Sequence, residues 1–149
     1  MPVKRMIQTL EGWDVFDEFF SGTMLYRATF DMVQELQGEG IELSLGDVRE
    51  VARVRLNGRD LGCRFVPPYR FEVPEDVLTH ENELEVEVTN LGANRIRWND
   101  QNGVEWKRFH DINIISVKGV WAGGCVPFDA SDWPLRDSGL LGPVLIELK

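Results

Sequence analysis

The sequence is poor in the residue types that build disulfide frameworks and zinc sites. Its 149 residues include only two cysteines, Cys63 and Cys125, and two histidines, His80 and His110. Two cysteines are too few for a disulfide framework, and neither residue type occurs at the close spacing that zinc motifs use. We therefore expect no zinc site and two free, partly buried thiols, although the sequence leaves a disulfide between them open.

The sequence also lacks long apolar runs and an excess of positive charge. No stretch approaches the roughly 20 apolar residues of a membrane span. The basic N-terminus is followed by acids rather than by the apolar segment of a signal peptide, which leaves the localisation open between the cytoplasm and an exported parent protein. With 25 Asp and Glu against 16 Lys and Arg, the net charge is −9. That charge repels phosphate backbones and anionic lipids, so we expect neither nucleic acid nor a membrane as partner.

Motifs for nucleophilic and nucleotide chemistry are missing as well. Neither Ser21 nor Ser138 lies in the Gly-x-Ser-x-Gly frame of an activated serine, and the glycines of 119–124 lack the Lys-Ser or Lys-Thr pair of a phosphate-binding loop. Glycoside hydrolysis needs only two opposed carboxylates, which 25 acids leave open, but no such pair is evident from the pattern. We therefore expect a protein without catalytic residues.

What the sequence has in plenty is the alternation of apolar and polar residues that is typical of strands with one buried face. Residues 83–89 alternate strictly, and 41–45 and 52–56 repeat the pattern on either side of a predicted turn at Gly46-Asp47. Asn57-Gly58 favours a type I′ hairpin into a strand at 59–63. Further strands are predicted at 24–30, 69–73, 111–117 and 144–148, and a single helical turn at 74–78. The pattern predicts an all-β protein, a single antiparallel β-sandwich domain over 1–149.

Alternation fails over residues 96–134, which we predict to form a long, tryptophan-rich loop region. The tryptophans there are Trp98, Trp106, Trp121 and Trp133. Each ring could simply seal an open end of the sandwich. An exposed indole also offers a flat apolar surface to a sugar ring, and Asn99 and Asp100 beside Trp98 offer polar groups to its hydroxyls. One such ring with one or two hydrogen bonds gives about 3–4 kcal/mol, so binding should be millimolar or weaker.

Eight short motifs, in order, resemble a known family. They are SGTMLYR (21–27), LGDV (45–48), VRLNG (54–58), LG (61–62), PPYRF (67–71), NELEVEVTN (82–90), NR (94–95) and SGLLGPV (138–144). The chain resembles the sugar-binding-type jelly-roll domain of family 2 glycosidases, and the β-sandwich near the C-terminus of large bacterial glycoside hydrolases such as α-L-rhamnosidases. The resemblance runs from about residue 13 to the end, which leaves 1–12 as an N-terminal extension.

The resemblance implies a galactose-binding-like jelly roll that is not itself catalytic and accompanies a separate catalytic barrel, which this chain lacks. It implies carbohydrate binding or, as the alternative, support of the neighbouring catalytic domain without sugar binding. A polar cluster of Tyr69, Arg70, Asn94 and Arg95 at one end of the sandwich would add Arg70 and Arg95 to the candidate sugar-binding residues. Related domains often carry a structural calcium, for which no ligands can be assigned here. One departure is His80-Glu81, which stands where the family usually has a glycine before the position of Asn82.

Overall fold

The computed structural model of the chain describes residues 4–8, 18–31, 40–106 and 128–148, with the backbone alone for 4–8. Within these ranges there are ten strands, one α-helix and a 3-10 turn at Glu75–Val77. The strands are β1 (Lys4–Gln8), β2 (Thr23–Asp31), β3 (Ile41–Ser44), β4 (Asp47–Arg49), β5 (Val51–Leu56), β6 (Arg59–Arg64), β7 (Arg70–Val73), β8 (Glu81–Thr89), β9 (Gly139–Gly142) and β10 (Val144–Leu148). The helix α1 is Ala93–Gln101.

Two four-stranded antiparallel sheets form the body of the domain. Their strand orders are β1-β10-β3-β7 and β2-β8-β5-β6, and β4 and β9 form a separate two-stranded sheet. Apolar residues that alternate along the strands form the core between the layers. The first sheet contributes Leu43, Phe71 and Ile146, and the second contributes Val54, Val86 and Val88, all at most 1% exposed. The prediction of an all-β antiparallel sandwich is confirmed.

The strand with the strictest alternation, β8, lies between β2 and β5. It pairs with β2 over nine residue pairs, from Thr23 opposite Thr89 to Asp31 opposite Glu81. On its outer face Glu85 pairs with Arg27 at 2.8 Å, and Glu87 pairs with Arg55 at 2.7 Å. The sequence prediction placed these glutamates on a solvated face, and the arginines of the two neighbouring strands balance their charge.

The Asn57-Gly58 hairpin joins β5 to β6 as predicted. Both residues have positive φ, 51° and 79°, as a type I′ turn requires. The Asn57 side chain donates to the carbonyl of Val77 at 2.7 Å and to the side-chain oxygen of Asn82 at 2.8 Å. The hairpin is thereby tied to the start of β8. The predicted strands at 24–30, 41–45, 52–56, 69–73, 83–89 and 144–148 and the helical turn at 74–78 are also found, each within two residues of its predicted ends.

Two short strands lie where the sequence pattern predicts none. Within the N-terminal extension 1–12, β1 pairs with β10 at the edge of the first sheet. Strands 41–45 and 52–56 do not flank a simple turn, because β4 lies between them and pairs with β9. Both strands are short and take a partner from the last residues of the sequence, so local alternation alone does not reveal them.

The prediction that 96–134 is a loop region was wrong at its start, where α1 lies. The sequence of α1, ANRIRWNDQ, is mostly polar, and the residue before it, Gly92, makes no side-chain capping hydrogen bond. An apolar stripe and a side-chain cap are the signals that identify a helix in a sequence, and α1 has neither. None of the helices in the described ranges has the length and apolar character that would let it cross a bilayer.

Several remaining predictions can be placed only in part. Cys63 is free and exposed on β6, not partly buried as expected. The other cysteine, Cys125, the predicted strand at 111–117 and the candidate Trp121 lie outside the described residues.

Candidate functional site

Most of the predicted sugar-binding residues lie on or near α1. The helix carries Arg95, Trp98, Asn99 and Asp100, Trp106 follows it, and Trp133 lies in the segment that precedes β9. We call the contact between residues 93–106 and 128–136 the helix seam. Asp100, Trp106 and Trp133 are linked to one another at this contact, directly or through Phe128. Trp98 and Arg95 pack against Phe19 instead.

The carboxylate of Asp100 joins the two sides of the helix seam. One of its oxygens accepts a hydrogen bond from Nε1 of Trp106 at 2.7 Å, and the other accepts one from the backbone N–H of Ala130 at 2.8 Å. A charged acceptor makes these bonds stronger than neutral ones. The group expected to pair with sugar hydroxyls is therefore already bonded on both oxygens.

Trp98 stacks on Phe19, apart from the other tryptophans of the helix seam. Its ring packs on Phe19 with centroids 4.9 Å apart and planes inclined by 25°. The guanidinium of Arg95 lies 5.1 Å from the Phe19 centroid and 5.6 Å from that of Trp98, within cation–π range of both. The planar cation and the indole that were predicted to hold a sugar contact each other instead.

Trp133 is the most exposed of the predicted aromatic residues that the structure describes, at 37%. Its ring meets Phe128 edge to face, with centroids 5.4 Å apart at 84°, and Phe128 meets Trp106 in the same way at 6.1 Å. The backbone of Trp133 is fixed as well, because its carbonyl accepts a hydrogen bond from Nε of Arg97 at 2.9 Å. Trp133 is thus held by a ring contact and a backbone hydrogen bond, and part of the residue is open to solvent.

Comparisons with known proteins agree with this all-β domain and give it a context. No protein-family model matches the chain. A putative beta-glucuronidase of Formosa agariphila is 34% identical over 162 residues, which cover 97% of this chain and 14% of that protein. The solved structure of a rhamnosidase from Novosphingobium sp. PP1Y aligns with a TM-score of 0.64 and 33% identity, over 89% of this chain and 12% of that one. The chain is similar to a small part of two glycoside hydrolases.

Arg70, the remaining candidate, lies away from the helix seam on the edge strand β7. Its guanidinium donates to Glu42 on β3 at 2.8 Å and lies 3.9 Å from Glu147 on β10. The Glu42 side chain is 8% exposed, so Arg70 neutralises a carboxylate that is almost out of water. The predicted polar cluster of Tyr69, Arg70, Asn94 and Arg95 is therefore divided, since each of these residues bonds or packs with a different partner.

Tyr69 illustrates this division. Its hydroxyl donates to the backbone carbonyl of Glu50 at 2.5 Å. Burial raises the pKa of the Tyr69 phenol above its usual value of 10, and the nearby Glu50 carboxylate adds to the shift. The side chain holds the chain just after β4 and is directed towards the core rather than to an external ligand.

The sequence prediction missed the residues that hold the helix seam together. Arg97 and Gln101, four positions apart on α1, donate to the backbone carbonyls of Trp133 and Ser131, each at 2.9 Å. Side chains four residues apart share one face of a helix, so this pair would have been recognisable once the helix was known. Asn94, on the same helix, is buried and bonds both backbone groups of Arg136, donating to its carbonyl at 2.7 Å and accepting from its N–H at 2.9 Å.

We expect Asn94→Ala to lower the free energy of unfolding by about 2 kcal/mol, because it removes the two hydrogen bonds that the buried Asn94 side chain makes with the Arg136 backbone. Urea unfolding followed by tryptophan fluorescence measures the change. Asn102→Ala is the matched control: Asn102 is exposed and makes a single hydrogen bond, to the Trp98 carbonyl at 2.8 Å. Its loss should cost well under about 1 kcal/mol. Equal effects of the two substitutions would contradict this account of the helix seam.

The described residues include one group of side chains whose ligand atoms converge as a cation site requires. Asp31, His80 and Glu81 each offer one atom, and these atoms lie within 4.8 Å of one another. Calcium prefers six to eight oxygen ligands, so a site that includes an imidazole suits it poorly. The calcium expected from the resemblance stays a prediction without assigned ligands.

Proposed function

We propose that this chain is a non-catalytic β-sandwich module of a glycoside hydrolase that supports a neighbouring catalytic domain. The observation that carries the proposal is the coverage: 97% of the chain aligns with only 14% of the Formosa agariphila relative, and 89% with 12% of the rhamnosidase. A segment that makes up so little of a large enzyme is the size of one accessory domain.

The geometry of the helix seam favours support over sugar recognition. The Asp100 carboxylate, the Trp98 ring and the Arg95 guanidinium all contact their own chain. A sugar that bound these groups would compete with the contacts that they make within the chain. Their role is to build the surface of the module.

The surface that we assign to the catalytic domain is the loop between β6 and β7. Phe65 is 73% exposed and Val66 is 57% exposed, the two largest values among the big apolar side chains of the described residues. Two adjacent apolar side chains in water favour burial by a partner, because removing their surface from water is worth about 25 cal/mol per Å².

This assignment is tested with the catalytic glycosidase domain encoded in the same or a neighbouring gene. On mixing, the two should elute together from a size-exclusion column, and the catalytic domain should melt several degrees higher than alone. Phe65→Ser with Val66→Ser should weaken the association at least about tenfold. Leu25→Ser is the control, since Leu25 is also exposed, at 42%, but lies on β2. Separate elution and an unchanged melting temperature would contradict the support role.

Weak carbohydrate binding is the second candidate function, and the partial exposure of Trp133 favours it. Titration with rhamnose, glucuronate, galactose and glucose, followed by tryptophan fluorescence and amide spectra, separates the two candidates. If the module only supports a catalytic domain, no saturable change appears at tens of millimolar. A saturable change that Trp133→Ala removes and Trp98→Ala leaves intact would establish sugar binding at Trp133.

A further inference from the structure

The paired ends of β2 and β8 bring together three side chains that are far apart in the sequence. Asp31 is the last residue of β2, Glu81 is the first of β8, and the two lie directly opposite each other in the register of the sheet. His80 immediately precedes Glu81. One ligand atom from each residue lies within 4.8 Å of the others, and all three side chains are exposed.

Two carboxylates face each other at this end of the sheet. Asp31 and Glu81 lie directly opposite each other in the register of β2 and β8, and like charges in that position repel when both are ionised. The ligand group next to them is the imidazole of His80. A cation held between the carboxylates would remove their repulsion.

The backbone that carries His80 is already fixed. The side chain of Asn82, which is 2% exposed, accepts a hydrogen bond from the N–H of Thr79 at 2.9 Å and donates to its carbonyl at 2.8 Å. The Thr79 hydroxyl in turn donates to the carbonyl of Glu81. Because both neighbours of His80 are held, only side-chain rotations are needed to bring the ring towards the carboxylates.

We propose that Asp31, His80 and Glu81 bind one divalent transition-metal ion of the Zn²⁺ type. An imidazole nitrogen with two carboxylate oxygens is a donor set that Zn²⁺ accepts in tetrahedral sites, where water takes the remaining position. Metal–ligand distances of about 2.1 Å place ligand atoms about 3.4 Å apart, so the exposed side chains close by up to about 1.4 Å on binding. The ion joins the ends of β2 and β8, and this role is independent of the proposed support of a catalytic domain.

Calorimetric titration of the intact chain with ZnCl₂ tests the site. We expect one equivalent of Zn²⁺ to bind in the micromolar range, and His80→Ala and Glu81→Gln each to weaken binding about tenfold or more. Glu83→Gln, two positions along the same face, and His110→Ala, at the other histidine, should bind as the parent does. CaCl₂ should bind at least about 100-fold more weakly, because the imidazole is a poor calcium ligand.

Amide spectra locate the ion independently of its affinity. Addition of Zn²⁺ should shift the signals of Asp31 and of 79–82 and leave those of α1, which follows the opposite end of β8, unchanged. The three ligands are exposed, so the variants are expected to fold, and circular dichroism checks that they do. Unchanged Zn²⁺ affinity in His80→Ala, shifts centred elsewhere, equal affinity for Ca²⁺, or no binding below millimolar concentrations would each overturn the proposal.

Discussion

Replacing Gly46 by alanine should lower the free energy of unfolding by about 3–5 kcal/mol, enough to leave little folded protein. Gly46 lies between β3 and β4 with a φ of +65°, which costs a residue with a Cβ atom roughly 1–2 kcal/mol. A Cβ atom there would also lie 2.4 Å from the backbone carbon and oxygen of Gly142 and 2.8 Å from the nitrogen of Pro143. Backbone atoms cannot move aside as a flexible side chain can, so the contact between 46 and 142 must open.

Gly58→Ala is the matched control for this prediction. Gly58 also has a positive φ, +79°, but a Cβ atom there would meet nothing within 4 Å. The free energy of unfolding of Gly58→Ala should therefore fall only by the cost of a positive φ, about 1 kcal/mol. Urea unfolding compares the two variants, and soluble yield and amide dispersion report on Gly46→Ala if it does not fold. A Gly46→Ala variant as stable as Gly58→Ala would show that the approach of Gly46 to Gly142 is looser than described.

The long strands of the sandwich could be predicted because their evidence is local. In β8 the polarity of each residue predicts whether it faces the core or the solvent. In the β5–β6 hairpin, Asn57 and Gly58 are residue types that adopt positive φ readily. Such features depend on residues that are close together in the sequence, so the sequence alone is sufficient to predict them. The same holds for β10, whose predicted ends agree with those observed.

The small sheet and the helix could not be predicted, because their partners are distant. β4 has three residues and is held by β9, which comes from the end of the sequence. The helix α1 depends on bonds to residues 130–136, such as those of Asn94 with Arg136, rather than on its own amphipathic pattern. Tertiary contacts override weak local preference in both elements.

The candidate site could be predicted only in part for the same reason: its side chains are oriented by residues that are distant in the sequence. Composition correctly drew attention to the tryptophan-rich region, but the predicted loop contains α1, and the orientation of Trp98 and Asp100 depends on contacts with Phe19 and Ala130. Nor could sequence spacing show that Asp31 lies beside His80, because only the pairing of β2 with β8 brings them together. The expectation of no zinc site rested on the number and spacing of the cysteines and histidines, which take no account of the carboxylates that the fold brings beside His80.

Asn82→Ala should destabilise the domain by about 3 kcal/mol, although Asn82, the second residue of β8, is polar and is not one of the apolar residues of the core. Its side chain is 2% exposed and bonds the side chain of Asn57 at 2.8 Å and both backbone groups of Thr79. Alanine removes these hydrogen bonds together and leaves the Asn57 side chain and both backbone groups of Thr79 without their Asn82 partner. Urea unfolding measures the loss, and the same variant should weaken Zn²⁺ binding, because it frees the backbone on one side of His80.

A double-mutant cycle with Asn57→Gly decides whether the two asparagines act as a unit. Glycine accepts the φ of +51° at position 57, so this substitution removes the side chain without straining the turn. The Asn57 side chain also accepts a hydrogen bond from the N–H of Glu83 at 2.8 Å and donates one to the Val77 carbonyl. Asn57→Gly alone should therefore lower the free energy of unfolding by about 2 kcal/mol. Once one asparagine is absent, removing the other no longer breaks their mutual bond, and the double variant should lose about 1 kcal/mol less than the sum. Strict additivity would mean that the turn before β8 and the β5–β6 hairpin are stabilised separately.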